Sequence, residues 1–167
     1  NVNNEGVCEN ELFETVHTGI GSPSAQYVWN LNGASEDSTN NKDYYRLFYN
    51  EPGTFTISLY LKDGNCISDL SSKIIKVTGN PEAVFSAIPD EATIKSPLIN
   101  FRNESTGANA DILWDFGDNT FSYIDNPYHT FKSDGDFKVT LKVYTIEGCS
   151  DTISKYVKIR PELSFII

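Results

Sequence analysis

The sequence predicts an all-β chain of two tandem sandwiches, and three observations carry that prediction. Phe137, Val139, Leu141 and Val143 alternate with Lys138, Thr140 and Lys142. This is the two-residue period of a half-buried strand, not the 3.6-residue period of a helix. A tryptophan strand, Ile112-Leu113-Trp114-Asp115-Phe116, ends at a Gly117-Asp118 turn and supplies one large aromatic for a core. The same layout stands earlier in the chain. Trp29 precedes Trp114 by 85 residues, Phe55 precedes Phe137 by 82, and Cys66 precedes Cys149 by 83. Near-constant offsets with small slips mark an internal duplication.

The elements follow in order. Leu12 to His17 reads as an early strand, matched by Leu98 to Asn103 in the second copy. Gly19 to Ser24 is a loop, and Tyr27 to Leu31 is the first tryptophan strand. Gly33 to Asp43, with almost nothing apolar, reads as an exposed loop. Asp43 to Tyr49 is a dense aromatic strand. Pro52-Gly53 leads into a central strand with Phe55, Ile57, Leu59 and Leu61 inward, and Lys73 to Val77 closes the copy. Thr78 to Glu82 is a short linker stiffened by Pro81. Ile88 to Ser96 reads as a loop before the second copy's strand at Leu98. The expected organisation is therefore 1–79, 80–160, and 161–167 as the start of a further, truncated element.

Composition narrows the function classes. The net charge is −10, with ten acids and five bases in 1–79 and thirteen acids and eight bases in 80–167. An evenly acidic surface argues against nucleic acid and anionic lipid as partners. No stretch is apolar and long enough for a membrane span, so no direct membrane insertion is expected. The chain has no methionine, so Asn1 is read as other than a natural start.

The run Trp-Asp-Phe-Gly-Asp at 114–118, Asn126-Pro127-Tyr128-His129-Thr130-Phe131, and Gly135-Asp136-Phe137-Lys138-Val139-Thr140-Leu141-Lys142-Val143 resemble the PKD (polycystic kidney disease) domain family over residues 80 to 160. The first copy is a divergent version, with Asn30-Leu31-Asn32-Gly33 in place of the acidic turn and Leu47 near the place of His129. The resemblance implies an Ig-like sandwich in a long extracellular protein. Gly148-Cys149-Ser150-Asp151 is similar to the variant of secreted and surface proteins of gliding Bacteroidetes, and implies an adhesin of the gliding-motility type with type IX secretion. Its partners would be other domains of the same chain, surface glycans or secretion-machinery proteins. The family also implies a second role, as an accessory module of a secreted protease or polysaccharide-degrading enzyme.

Three cysteines leave one without a partner inside the chain. Aligning the repeats sets Cys8 five residues before Phe13 and Ser96 five residues before Phe101, which gives the first copy two cysteines and the second one. A Cys8–Cys66 disulfide is expected, worth about 4 kcal/mol in the chain-entropy model, with Cys149 free. The carboxylates Asp115, Asp118, Asp125, Asp134 and Asp136 gather in the turns of the second copy. Hard cations such as calcium want several loop oxygens, but Asp also fills turns by bonding the local backbone, and the turn role is favoured. No cofactor other than calcium is suggested. No nucleophile elbow, zinc motif or phosphate loop occurs, so the chain reads as non-catalytic. Tyr44, Tyr45, Tyr49 and Tyr123 would be the platform of a glycan-binding surface. Asp37-Ser38-Thr39 and Asp151-Thr152-Ile153 resemble short O-glycan acceptor sites.

Overall fold

The computed structural model describes residues 6–17, 21–39 and 44–162. They form strands and turns only, and among them no helix is long and apolar enough to cross a membrane. The chain divides into two compact units, Asn1–Gly79 and Asn80–Ile167. The apolar tail expected to open a further element lies, from residue 163 on, outside the described residues.

In the first unit one sheet has the order β1 (Val7–Cys8), β8 (Ser71–Thr78), β6 (Gly53–Asp63), β3 (Gln26–Asn30), with β7 (Cys66–Ile67) also on β6. The other has the order β2 (Phe13–Val16), β5 (Tyr44–Phe48), β4 (Ser35–Thr39). Alternation decides what goes inside: Ile57 and Leu59 of β6 are buried, Phe55 and Leu61 half-buried, and Lys62 is exposed. Tyr45, Leu47 and Tyr49 close the core from the opposite sheet.

In the second unit the larger sheet runs β10 (Glu91–Thr93), β16 (Ser150–Arg160), β15 (Gly135–Tyr144), β12 (Ile112–Asp115), β13 (Phe121–Ser122). The smaller runs β14 (Tyr128–Thr130), β11 (Leu98–Asn103), β9 (Phe85–Ile88). Between them lies a core of Phe85, Ile99, Phe101, Trp114, Phe116, Phe131, Val139, Leu141, Val143, Val157 and Ile159. Trp114 is fully buried and takes Phe85 edge-on at 5.1 Å. Fully burying such an aromatic is worth about 2–3 kcal/mol.

Several expectations are corrected. The span Gly33 to Asp43, expected as a loop, contains β4, which pairs with β5 through a bulge between Glu36 and Ser38. The span Ile88 to Ser96 contains β10, paired in parallel with β16. Both are edge strands held by backbone ladders, so neither needs an apolar alternation that a sequence would display. The Cys8–Cys66 disulfide is not formed. Cys66 is free and exposed, and it is Cys66 rather than Cys149 that is the free thiol. Sheet register explains why. Cys8 pairs with Thr78, next to the Val77–Gly53 pair, while Cys66 pairs with Asp63. The two cysteines therefore sit at opposite ends of β6, about 33 Å apart at 3.3 Å per residue, far beyond disulfide reach.

Candidate functional site

The turns that follow the tryptophan strand are the most elaborately bonded part of the second unit. Asp115 Oδ1 accepts a hydrogen bond from Gly117 N at 2.9 Å, a local turn bond of the kind Asp forms readily. Gly117 has φ +76°, and a Cβ there would lie 2.6 Å from the Lys138 carbonyl oxygen, so only glycine fits. Asp118 Oδ1 accepts from Thr120 N at 3.1 Å and from Thr120 Oγ1 at 2.5 Å. Its Oδ2 accepts from His129 Nε2 at 2.8 Å. Both side chains of that pair are mostly buried, at 15% and 14% exposure. The His129 ring lies flat on Phe116 at 4.0 Å and edge-on to Phe131 at 4.6 Å. Burial pushes the Asp118 carboxyl up, but the hydrogen bonds from Thr120 and His129 and the His129 charge outweigh it, and its pKa is held below the ordinary value. The pair ties the turn after β12 to β14 and faces aromatic rings, not a cleft.

At the opposite end of β12 lies a groove of about 520 Å³, lined among others by Asn103, Ser105, Asp111, Tyr123 and Asp125. Asp125 accepts from Asn103 Nδ2 and from Asn126 Nδ2, each at 2.8 Å. Asn126 Oδ1 in turn accepts from Asn103 N at 3.0 Å. Tyr123 stands 75% exposed at the edge. The groove can offer hydrogen-bonding oxygens and amides beside an aromatic face.

The five expected carboxylates are not brought together. Asp115 and Asp118 cap turns, Asp125 holds the groove's amides, and Asp134 and Asp136 are exposed at the start of β15. Among the described residues no group of three His, Cys, Asp or Glu side chains could hold a metal ion. Asp115 and Asp118 bond the local turn backbone, Asp125 bonds side-chain amides, and Asp134 and Asp136 stay exposed, so the acids close in sequence do not converge on one point.

The tyrosine platform also separates. Tyr45 and Tyr49 point into the core of the first unit, since alternation along β5 turns every second residue inward. Tyr45 packs on Trp29 at 5.2 Å. Tyr49 stacks on Phe55 at 3.9 Å, and its hydroxyl donates to the Leu31 carbonyl at 2.8 Å. Burial pushes the Tyr49 phenol up. Tyr44 is half-buried and donates to Glu14 at 3.3 Å. Of the four, Tyr123 alone is strongly exposed. Sequence reading did not find the Asn103–Asp125–Asn126 network, because its members lie on separate segments whose approach depends on pairing of β11 with β14. Nor did it find Lys155, whose Nζ donates to the Phe85 carbonyl and lies 5.0 Å from that ring. Of the two acceptor-like motifs, Asp151-Thr152-Ile153 lies within β16, where Asp151 Oδ2 accepts from Ala83 N at 2.8 Å, and the side chains of 37–39 are outside the described set.

Residues 80–159 match the PKD domain family. A microbial collagenase of Vibrio alginolyticus is 34% identical over 83 residues, which is 48% of this chain, and the match spans only 10% of that protein's length. The PKD1 domain of the Vibrio cholerae metalloprotease PrtV is 27% identical with a TM-score of 0.42, covering 48% of this chain and 98% of that one. A C-terminal fragment of intimin, solved with the intimin-binding domain of its translocated receptor, has 10% identity and a TM-score of 0.50. That likeness covers 90% of this chain and 61% of the fragment, and concerns the fold alone.

Proposed function

We propose, from a second unit that carries a PKD domain, that the chain is a non-catalytic extracellular spacer and interaction segment of a larger secreted or surface protein. One observation carries this reading: in each unit the first strand of the larger sheet pairs in parallel with the unit's last strand. Val7–Cys8 pairs with Val77–Thr78, and Glu91–Thr93 with Lys158–Arg160. Pulling the two ends of a unit apart drags parallel neighbours past one another and loads their hydrogen bonds together rather than one at a time. The Glu91–Arg160 pair, with contacts of 2.5 and 2.9 Å, reinforces the second of these seams. The parent we favour is an adhesin of the gliding-motility type, carried by type IX secretion in a member of the Bacteroidetes. Its partners are the neighbouring domains of the same chain and surface glycans.

A second reading is favoured by the 34% identity to part of a microbial collagenase: an accessory module beside the catalytic domain of a secreted protease. In either case turnover belongs elsewhere. The test removes 80–160 from the parent protein. If the parent is a protease, hydrolysis of a small soluble peptide should persist while attachment to insoluble substrate falls. If it is an adhesin, cell attachment should fall. Loss of hydrolysis of the small peptide would overturn the non-catalytic role. A glycan held at Tyr123 would be detected on a glycan array as a signal lost with Tyr123→Ala.

A further inference from the structure

Two loops of the second unit form the groove at the start of β12, and fixed bonds hold each of them. The first, residues 104–111, runs from β11 to β12. Asn109 N and Ala110 N donate to the Tyr144 carbonyl, each at 3.2 Å, and Tyr144 N donates to the Asp111 carbonyl at 3.0 Å. Asn109 Oδ1 accepts from Ile146 N at 2.9 Å. These bonds tie the loop to the end of β15. The second loop, residues 123–127, joins β13 to β14. Its Ile124 carbonyl accepts from Nε1 of the fully buried Trp114 at 3.1 Å, and Ile124 N donates to Ser122 Oγ at 3.2 Å. Asn103 links the two, with its backbone N on Asn126 Oδ1 and its Nδ2 on Asp125, while its own Oδ1 accepts from Ser105 N at 3.1 Å. The groove is therefore formed in the free chain, and the cost of ordering loops around a ligand is largely absent.

The lining sets the chemistry. Tyr123 presents a ring that is 75% exposed, and the carboxylate of Asp111 is exposed as well. The two oxygens of Asp125 offer about four acceptor sites, of which the amides of Asn103 and Asn126 occupy two. Asn103 Nδ2 keeps a second N–H beyond the one given to Asp125. Ala108 and Ala110 add only small apolar groups. Small-molecule sites span about 300–1,000 Å³ and set a few fixed polar groups beside an aromatic or apolar wall, and this groove of about 520 Å³ meets both conditions.

An exposed ring beside fixed acceptors and a spare amide donor suits a pyranose, whose C–H face is apolar and whose hydroxyls both donate and accept. A carboxylate accepts from two neighbouring hydroxyls at once, and a tyrosine ring offers the sugar face an apolar partner. Charge narrows the class. The lining holds two carboxylates, Asp111 and Asp125, and among the described residues no lysine, arginine or histidine. A sugar acid would bring a like charge against them with no cation to meet it. We propose, on the reading that surface glycans are partners of the chain, that this groove binds a neutral hexose unit of a polysaccharide and rejects its uronic acid counterpart. The ring lies on Tyr123, its hydroxyls donate to Asp111 and Asp125, and the spare N–H of Asn103 donates to a sugar oxygen.

Titration of the isotope-labelled full chain, followed by the NMR shifts of its backbone amides, tests this. The probes are oligomers of glucose, mannose and galactose, each paired with the matching glucuronate, mannuronate or galacturonate oligomer, to about 10 mM, a range that reaches millimolar affinities. At least one neutral oligomer should shift the amides of 103–111 and 123–126 to saturation, and its acidic counterpart should bind about tenfold or more weakly. Tyr123→Ala should weaken the neutral oligomer about tenfold, as loss of an aromatic anchor does, while Tyr123→Phe should retain it. Asp111→Ala should weaken it about tenfold through loss of a charged acceptor. Both positions are exposed, so the melting temperature should be unchanged in each variant. Equal or tighter binding of the acidic oligomer at the same amides would overturn the choice of sugar class and leave glycan binding standing. Saturable shifts confined to other amides, or binding unmoved by Tyr123→Ala, would overturn the groove as the site. No response to any of these oligomers would also overturn the proposal, and the glycan array then decides the broader reading.

Discussion

Asp118 and His129, eleven residues apart in sequence, are joined by a 2.8 Å contact from Nε2 to Oδ2 beneath a histidine ring lying flat on Phe116. The contact fixes the turn after the tryptophan strand onto β14. Replacing His129 with Ala removes the partner of a mostly buried carboxylate and the ring that covers Phe116. The second unit should lose about 2–4 kcal/mol, from the unpaired acceptor and the lost packing together. Urea unfolding followed by Trp114 fluorescence measures it, and a loss within about 0.5 kcal/mol, the range of a neutral surface change, would remove the clamp role.

The same pair sets a pH dependence. The Asp118 pKa is lowered in the folded state, so its contribution is fully present above the ordinary carboxylate range. It is lost as pH falls below about 4 and through the folded value. The melting temperature of the second unit should drop across this acid window, and Asp118→Asn should flatten that part of the profile. An unchanged acid limb in the variant would assign the acid sensitivity to other carboxylates.

The free thiol is a separate check on the fold. Cys66 lies exposed in β7. A thiol reagent should label the native protein at Cys66, and Cys66→Ser should abolish the signal while leaving the melting temperature of the first unit within about 3 °C, as expected for an exposed surface position. Protection of Cys66 in the native state, or a large loss of stability on its replacement, would restore a bridge through it.

How much of this could be read in the sequence follows from what each residue depends on. The strand 137–143 announced itself because burial of one face dictates the alternation, and Trp114 because a buried aromatic needs a strand to carry it. β4 and β10 did not, since their place depends on backbone pairing with β5 and β16. Tyr45 cannot join a surface platform because alternation along β5 turns it inward, and Tyr49, one residue past the strand, keeps that alternation. The Cys8–Cys66 pairing came from alignment of repeats, which says nothing of which end of β6 each cysteine occupies. The carboxylates of 115–136 are legible as turn formers, which covers the local bonds to Gly117 and Thr120, whereas the partners His129 and Asn103 depend on the register of β11 on β14.

Single-molecule stretching of the chain from its two ends, under reducing conditions that open the disulfides of Cys8 and Cys149, tests the central claim, that each unit is a shear-loaded spacer. Two discrete unfolding events are expected, each releasing about 27 nm, the contour of roughly 80 residues at 3.4 Å each. Each should occur at a force well above that needed to unzip an antiparallel hairpin end to end. Gradual lengthening at hairpin-like force, without discrete events, would contradict it.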